Sequence, residues 1–171
     1  MSIIWVFTYK TDINGYLTKF KAHFYIQGNL QELIYKDMYA TTLAARLFRA
    51  LMAIIAIFDL DCWQGNIINT FTNSLINKII YVKCPDGFGV NGKCLLLYKA
   101  LYGLWWSPLL WHSNLITTLK KEGLKPVAEE SCLYYNDWLI VFFYINNITI
   151  ACRKKILPKL QIFKKTPNEK V

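Results

Sequence analysis

Carboxylates are scarce in this chain: its 171 residues hold 11 Asp and Glu against 20 Lys and Arg, a formal charge of +9. Histidine is rarer still, at His23 and His112. The five cysteines (Cys62, Cys84, Cys94, Cys132, Cys152) are odd in number and form no CxxC pair. Without paired thiols or clustered imidazoles, neither a zinc site nor a disulfide framework is expected, and reduced thiols suit an intracellular protein. Long apolar runs are also missing. The longest, Leu51–Phe58 and Leu139–Ile145, fall far below the roughly 18 to 20 residues that a membrane span needs. Met1-Ser2-Ile3-Ile4-Trp5 has no basic n-region and no small-residue cleavage site, so the expectation is a cytoplasmic or nuclear protein, not a secreted one.

What is present is apolar and aromatic. Hydrophobic residues make up 54% and aromatics 16%, with 18% charged. That is too apolar for a disordered tail and too short for two comfortable domains, so one compact unit is expected. The basic excess points to a polyanion, either nucleic acid or an anionic membrane surface; the alternative is a soluble protein with a basic surface.

The pattern along the chain is α+β. Ile3–Tyr9 is a β-rich run, Asp12-Ile13-Asn14-Gly15 is a hairpin signal, and Tyr16–Ile26 is the return, ended by Gln27-Gly28-Asn29. Thr41–Phe58 has the composition of a buried helix with Arg46 and Arg49 on its polar edge. Strands are predicted at Trp63–Ile68, Ile79–Lys83 and Lys93–Tyr98. Ser107-Pro108 opens a second helix, with serine as the cap; Trp111, Leu115 and Leu119 share one face, and Gly123 supplies the stop. Cys132–Tyr135 and Trp138–Tyr144 read as strands, then Asn146-Asn147 as the turn of a tight hairpin returning over Ile148–Cys152. From Arg153 the chain is basic and interrupted by Pro158 and Pro167, a poorly packed tail. The architecture expected is an antiparallel sheet packed by two main helices.

Several segments, taken in order, resemble the reverse transcriptase of Ty/copia-type retrotransposons. Trp5-Val6-Phe7 with Lys10, Asp12, Gly15, Lys19, Lys21-Ala22 and Gly28 resembles the opening fingers hairpin. Gln64-Gly65-Asn66-Ile67-Ile68-Asn69-Thr70-Phe71 is similar to Gln-x-Asp-Val-x-x-Ala-Phe. Val82-Lys83-Cys84-Pro85-Asp86-Gly87-Phe88, Ala100-Leu101-Tyr102-Gly103-Leu104 and Ser107-Pro108-Leu109-Leu110-Trp111 match the LYGL–SP–W pattern. Phe142–Ile148 stands in place of the Tyr-Val-Asp-Asp hairpin. The resemblance implies a domain over residues 1–152, with fingers at about 1–60, palm segments at 61–75 and 100–152, and a tail at 153–171. The family's chain continues into a thumb and ribonuclease H; this sequence stops at Val171, so a thumb is expected to be absent.

What the family implies is RNA-directed DNA polymerisation on an RNA or DNA primer–template with deoxynucleoside triphosphates. In that chemistry two Mg²⁺ ions activate the primer hydroxyl and neutralise the leaving pyrophosphate. Such a site needs carboxylate oxygens. The three implied ligand positions are Asn66, Asn146 and Asn147, so the ligands sum to zero charge instead of −3. If each lost carboxylate costs ~2 to 3 kcal/mol, the total of ~6 to 9 kcal/mol corresponds to a rate loss of roughly 10⁴- to 10⁶-fold. A polymerase fold without polymerase activity is predicted. Asp59, Asp61 and Asp137 are too far along the chain to replace the missing ligands. The alternatives are a non-catalytic nucleic-acid-binding remnant and a residual catalyst whose asparagines still recruit metal.

Other family positions carry two readings each. Lys10, Lys19 and Lys21 stand where the family holds the triphosphate, or are solvated strand lysines. Phe71 stands at the ring that excludes ribonucleotides, or is core. Tyr102, Gly103, Ser107 and Pro108 belong to the motif before and into the second helix. His23 replaces an arginine and has lost the permanent charge. Trp105-Trp106 offer base stacking, or form an exposed or misfitted apolar pair. Most departures, including Asn66, Thr70, Asn146, Asn147 and His23, are reachable by single G-to-A changes, the direction left by cytosine deamination of a retroelement copy.

Overall fold

The structure is a computed structural model, and it describes residues 1–28, 40, 42–89 and 92–154. The basic tail beyond Lys154, Asn29 and Thr41 lie outside the described residues. In place of the single compact unit expected from length, the chain divides into two. One draws on Met1–Ala40 and Asn69–Asn114, the other on Thr41–Ile68 and Leu115–Val171.

In the first unit, β1 (Ile3–Thr11) and β2 (Leu17–Ile26) form an antiparallel ribbon. The Asp12-Ile13-Asn14-Gly15 signal marks the turn correctly. Gly15 alone takes positive φ, at 86°. Its N–H donates to the Asp12 carbonyl oxygen at 3.1 Å, and the Asp12 N–H donates to the Tyr16 carbonyl oxygen at 2.9 Å. The Asp12 carboxylate accepts the N–H groups of Asn14 and Tyr16. This is a type I turn closed by a glycine bulge, the usual solution for a three-residue loop.

Only the root of the ribbon is buried. Ile3 and Ile26 join Ile80, Val82 and Leu104 in a small apolar core. Val82 sits in β4 (Tyr81–Lys83), which pairs antiparallel with β5 (Cys94–Leu96). The root is tied down by backbone bonds from Gln27 N–H to Ser2 O, Lys83 N–H to Met1 O and Ile26 N–H to Tyr102 O. Here the chain passes so close to Leu101–Leu104 that a Cβ on Gly28 would overlap the Gly103 carbonyl. One on Gly103, held at φ +93°, would overlap Ile26. Both positions therefore require glycine.

The second unit is built on a five-stranded antiparallel sheet of order β3-β9-β8-β7-β6. Its strands are β3 (Asp61–Asn66), β6 (Lys125–Val127), β7 (Glu130–Tyr135), β8 (Leu139–Tyr144) and β9 (Asn147–Cys152). β8 is central, and Leu139, Val141, Phe142 and Phe143 are all buried. A strand covered on both faces reads as a continuous apolar run, as this one does. β6 was missed from sequence because of Pro126. As an edge strand it tolerates a residue that cannot donate to the ladder.

Helix α1 (Ala45–Ile57) starts later than the predicted Thr41 and buries Leu51 and Ile55. Phe48 rests edge-on against Phe142, ring centroids 5.9 Å apart. No acidic residue or side-chain cap stabilises its N-terminus. Its end is a Schellman motif in which Asp59, at φ +48°, does the work usually given to glycine, with the Leu60 N–H donating to the Ile55 carbonyl. Helix α2 (Ser107–Lys121) buries Trp111, Leu115 and Leu119 on one face, as the spacing predicts. It stops at Gly123 in a second Schellman motif: Gly123 N–H to Lys120 O and Leu124 N–H to Leu119 O.

Ser107 is not the cap that the sequence suggested. The Trp106 carbonyl already accepts the Leu110 N–H. The fully buried Ser107 hydroxyl instead donates to the Leu101 carbonyl oxygen at 2.6 Å. Among the described residues, two α-helices and mostly antiparallel sheets make the fold class α+β, as expected. The predicted strand Trp63–Ile68 is shifted to Asp61–Asn66, because Ile67 turns away to donate its N–H to Asn146 O.

Candidate active-site cluster

Strand β3 and the β8–β9 hairpin meet at one end of the sheet, and that end collects the three asparagines. Antiparallel register puts Asn66 directly opposite Asn147. Tyr144 pairs with Asn147, so the two-residue turn is Ile145-Asn146 rather than Asn146-Asn147, and Asn147 opens the returning strand. The side-chain amide of Asn146 donates to Asn66 Oδ1 at 2.9 Å. The Ile67 N–H donates to the Asn146 carbonyl at 2.8 Å. Residues 80 apart in sequence are thereby joined by their side chains. Asn66 and Asn147 are exposed, and Asn146 is half-buried.

The turn carries backbone strain that sequence patterns did not flag. Ile145 has φ +56°, a left-handed conformation that β-branched residues rarely adopt and that costs on the order of 1–3 kcal/mol. It aims the Asn146 side chain back over β3. On β3 itself, the Trp63 indole lies across Gly65, where any Cβ would overlap the ring. A cavity of about 340 Å³ opens beside Asn147, lined by Leu43, Phe48, Gln64, Phe142, Tyr144 and Thr149 among others. A larger one, about 560 Å³, surrounds Leu51, Ile54, Phe58, Trp138 and Leu139 at the opposite end of the strands and does not touch the carboxamides.

Among the described residues, no carboxylate joins the cluster. Asp61 pairs with Cys152 at the far end of β3, about 17 Å from Asn66 along an extended strand. Asp59 forms an ion pair with Lys154, and Asp137 borders the larger cavity. Among the described residues, no group of three His, Cys, Asp or Glu is placed to hold a metal ion. The titratable groups that do shift are structural. Burial, then the nearby Glu130 charge, pushes the Cys132 thiol up to about 11, and burial also raises Cys62, Cys152 and Tyr134. Burial lowers His112.

The remaining candidate residues lie in the other unit. Phe71, in a 3₁₀ turn over Thr70–Asn73, is half-buried and packs edge-on against Tyr102 at 4.6 Å. Tyr102 in turn meets Tyr25 at 5.6 Å, a residue that sequence reasoning passed over. Gly103, Ser107 and Pro108 form the crossing and helix start already described. On the ribbon, Lys10 stands directly opposite Lys19, and Lys21 opposite Thr8, with His23 next on the same face. The expected exposed or misfitted pair holds in part: Trp105 is exposed, and the Trp106 Nε1 is buried with no hydrogen-bond partner among the described residues. Trp105 Nε1 donates to Gly28 O at 2.6 Å, and Trp106 packs on the apolar core with Lys78 Nζ 4.4 Å above its ring.

Comparison with known proteins identifies what the whole chain is similar to. The family described as reverse transcriptase (RNA-dependent DNA polymerase) matches residues 1–169. Over 168 residues the chain is 25% identical to the retrovirus-related Pol polyprotein from transposon TNT 1-94 of Nicotiana tabacum, covering 92% of this chain and 13% of that protein. The Ty1-BL Gag-Pol polyprotein of Saccharomyces cerevisiae is 24% identical over 153 residues, 83% of this chain and 8% of the polyprotein. The Pol polyprotein from transposon RE2 of Arabidopsis thaliana is 23% identical over 164 residues, 91% and 11%. The chain thus spans about a tenth of the length of these curated relatives. No solved structure matches.

Proposed function

Because the chain belongs to the reverse transcriptase (RNA-dependent DNA polymerase) family, we propose that it is a retrotransposon polymerase domain that has lost nucleotidyl transfer at the metal site itself. In this reading the five-stranded sheet is the palm, the β1–β2 ribbon belongs to the fingers, the domain runs over residues 1–152, and Asn66, Asn146 and Asn147 occupy the metal-ligand positions. The observation that carries the proposal is the hydrogen bond from the Asn146 amide to Asn66 Oδ1, with Asn147 directly opposite Asn66 in the ladder.

The family's chemistry uses Mg²⁺, and these residues do not fit it. A hard divalent cation selects charged oxygens, whereas three amides bring none. One of their three carbonyl oxygens, Asn66 Oδ1, is already occupied by the Asn146 amide. The hydrogen bond replaces the job a cation does when three carboxylates share one site: it holds the β3 end and the turn together without a counter-charge. Primer extension with Mg²⁺ or Mn²⁺ tests this. Extension should stay at background in the natural chain. The triple change Asn66→Asp, Asn146→Asp, Asn147→Asp, in a chain extended at its C-terminus through a thumb, should raise it by roughly 10⁴- to 10⁶-fold. Extension by the unchanged chain would refute the proposal.

A second reading, retained nucleic-acid binding without catalysis, draws support from the ribbon. Lys10 directly opposite Lys19 is a like-charge pair that destabilises a ladder unless an anion lies between. Phosphates of a nucleic acid or a nucleotide meet that need, with Lys21 adding to the same face. Binding should then fall steeply with salt. A flat salt response at low ionic strength removes this reading.

A further inference from the structure

The ribbon's two faces differ completely. Lys10, Lys19, Lys21 and His23 project to one side. Strand alternation and the pairs Trp5↔Phe24, Phe7↔Ala22 and Tyr9↔Phe20 put every aromatic ring but Tyr25 on the other side, with no charged group among them. Toward the root this face is covered: Trp5 packs at a tilt against Phe24 at 4.0 Å, meets Phe88 at 5.9 Å and stacks on the inner side of Phe7 at 5.5 Å. Farther out nothing among the described residues covers it. Phe7 is 72% exposed, Tyr9 69% and Phe20 76%. Rings of this kind bury upwards of 150 Å² each when covered, so with Phe24 this patch offers about 500 Å², the size of the largest patch on an ordinary monomer, which is often functional.

The geometry points to a second copy of this chain as the occupant. Two such faces packed together bury about 1,000 Å² in total, the lower limit of a specific interface. A two-fold arrangement makes the patch self-complementary, ring against ring. Charge separates this partner from the competing one. A strand of nucleic acid stacked on these rings needs cations beside them to follow its phosphates, and the aromatic face carries none. In a face-to-face pair the lysines point outward on the two far sides. Two ribbons about 10 Å apart keep those charges more than a Debye length of ~8 Å from one another, so the chain's +9 does not oppose pairing. The basic faces stay free for phosphate, so this inference is independent of the nucleic-acid reading.

Sedimentation velocity of the 171-residue chain across the micromolar range tests it. The expected result is a concentration-dependent monomer–dimer equilibrium, weakened at least tenfold by Phe7→Ser with Phe20→Ser and unchanged by Thr8→Asn on the opposite face. Far-UV circular dichroism checks that the double variant folds; should it not, the single change Tyr9→Lys gives the same reading by placing a charge in the interface. A chain that stays monomeric throughout overturns the inference, as does a dimer indifferent to these changes. A monomer that binds single-stranded DNA, with the binding lost in the double variant, assigns the face to nucleic acid and overturns it equally.

Discussion

The central strand of the sheet and the first strand of the ribbon are both rich in β-branched and aromatic residues, and they have opposite fates. β8, Leu139-Ile140-Val141-Phe142-Phe143-Tyr144, buries four of its six residues. β1 contains Ile, Trp, Val, Phe and Tyr, yet buries only Ile3. Both are strands because β-branched and aromatic side chains suit a pleated surface. Burial, however, belongs to the neighbourhood. β8 has a strand on each side and α1 across one face, whereas the ribbon has two strands and, among the described residues, packing only at its root. An apolar content of 54% therefore overstates the core, and the surplus is a surface waiting for a partner.

The largest test of that contrast is Phe142→Ala, which should cost about 3–5 kcal/mol in denaturant unfolding through the cavity it leaves. If it costs no more than a ribbon ring does, the contrast is wrong. Gly103→Ala should cost about 2–4 kcal/mol, since it combines an overlap with Ile26 and a positive φ. It would show how much the ribbon depends on its anchored root.

Alkaline pH should act on the sheet. With its pKa raised to about 11 from an ordinary 9.0, Cys132 stays protonated in the folded state while the unfolded chain releases its proton. Its contribution is complete below pH 9 and is lost as pH rises toward 11, by about 2–3 kcal/mol. Cys132→Ala should flatten that part of the stability–pH profile. Ile145→Gly should stabilise by about 1 kcal/mol by relieving the left-handed turn residue, read as a rise in thermal midpoint. Phe20→Ser, on the open face, should change monomer stability by no more than about 0.5 kcal/mol at low protein concentration.

The legible parts of this molecule were local or periodic. Asp12-Ile13-Asn14-Gly15 marked a turn, Trp111, Leu115 and Leu119 marked a helix face, and Gly123 its end. The boundaries that slipped did so where a distant group intervened. Ser107 was drawn to Leu101, Ile67 to Asn146, and the hairpin turn advanced by one residue to Ile145 because Asn147 was claimed by Asn66 across the sheet. β6 was hidden by Pro126, whose tolerance depends on an edge position that no local pattern reveals. The Asp59 helix stop lacked the glycine that would have announced it.

The chain's own residues determined that Asn66, Asn146 and Asn147 bring no charge to their end of the sheet: side-chain identity sets charge, and no fold changes it. They also determined the strand and helix types, through periods of two and of 3.6 residues. Only the tertiary structure decided that Asn66 and Asn146 bond across 80 residues, and which face of the ribbon is left bare. Those outcomes depend on closing long loops and on what packs against each face, and neither is written in any local stretch of sequence.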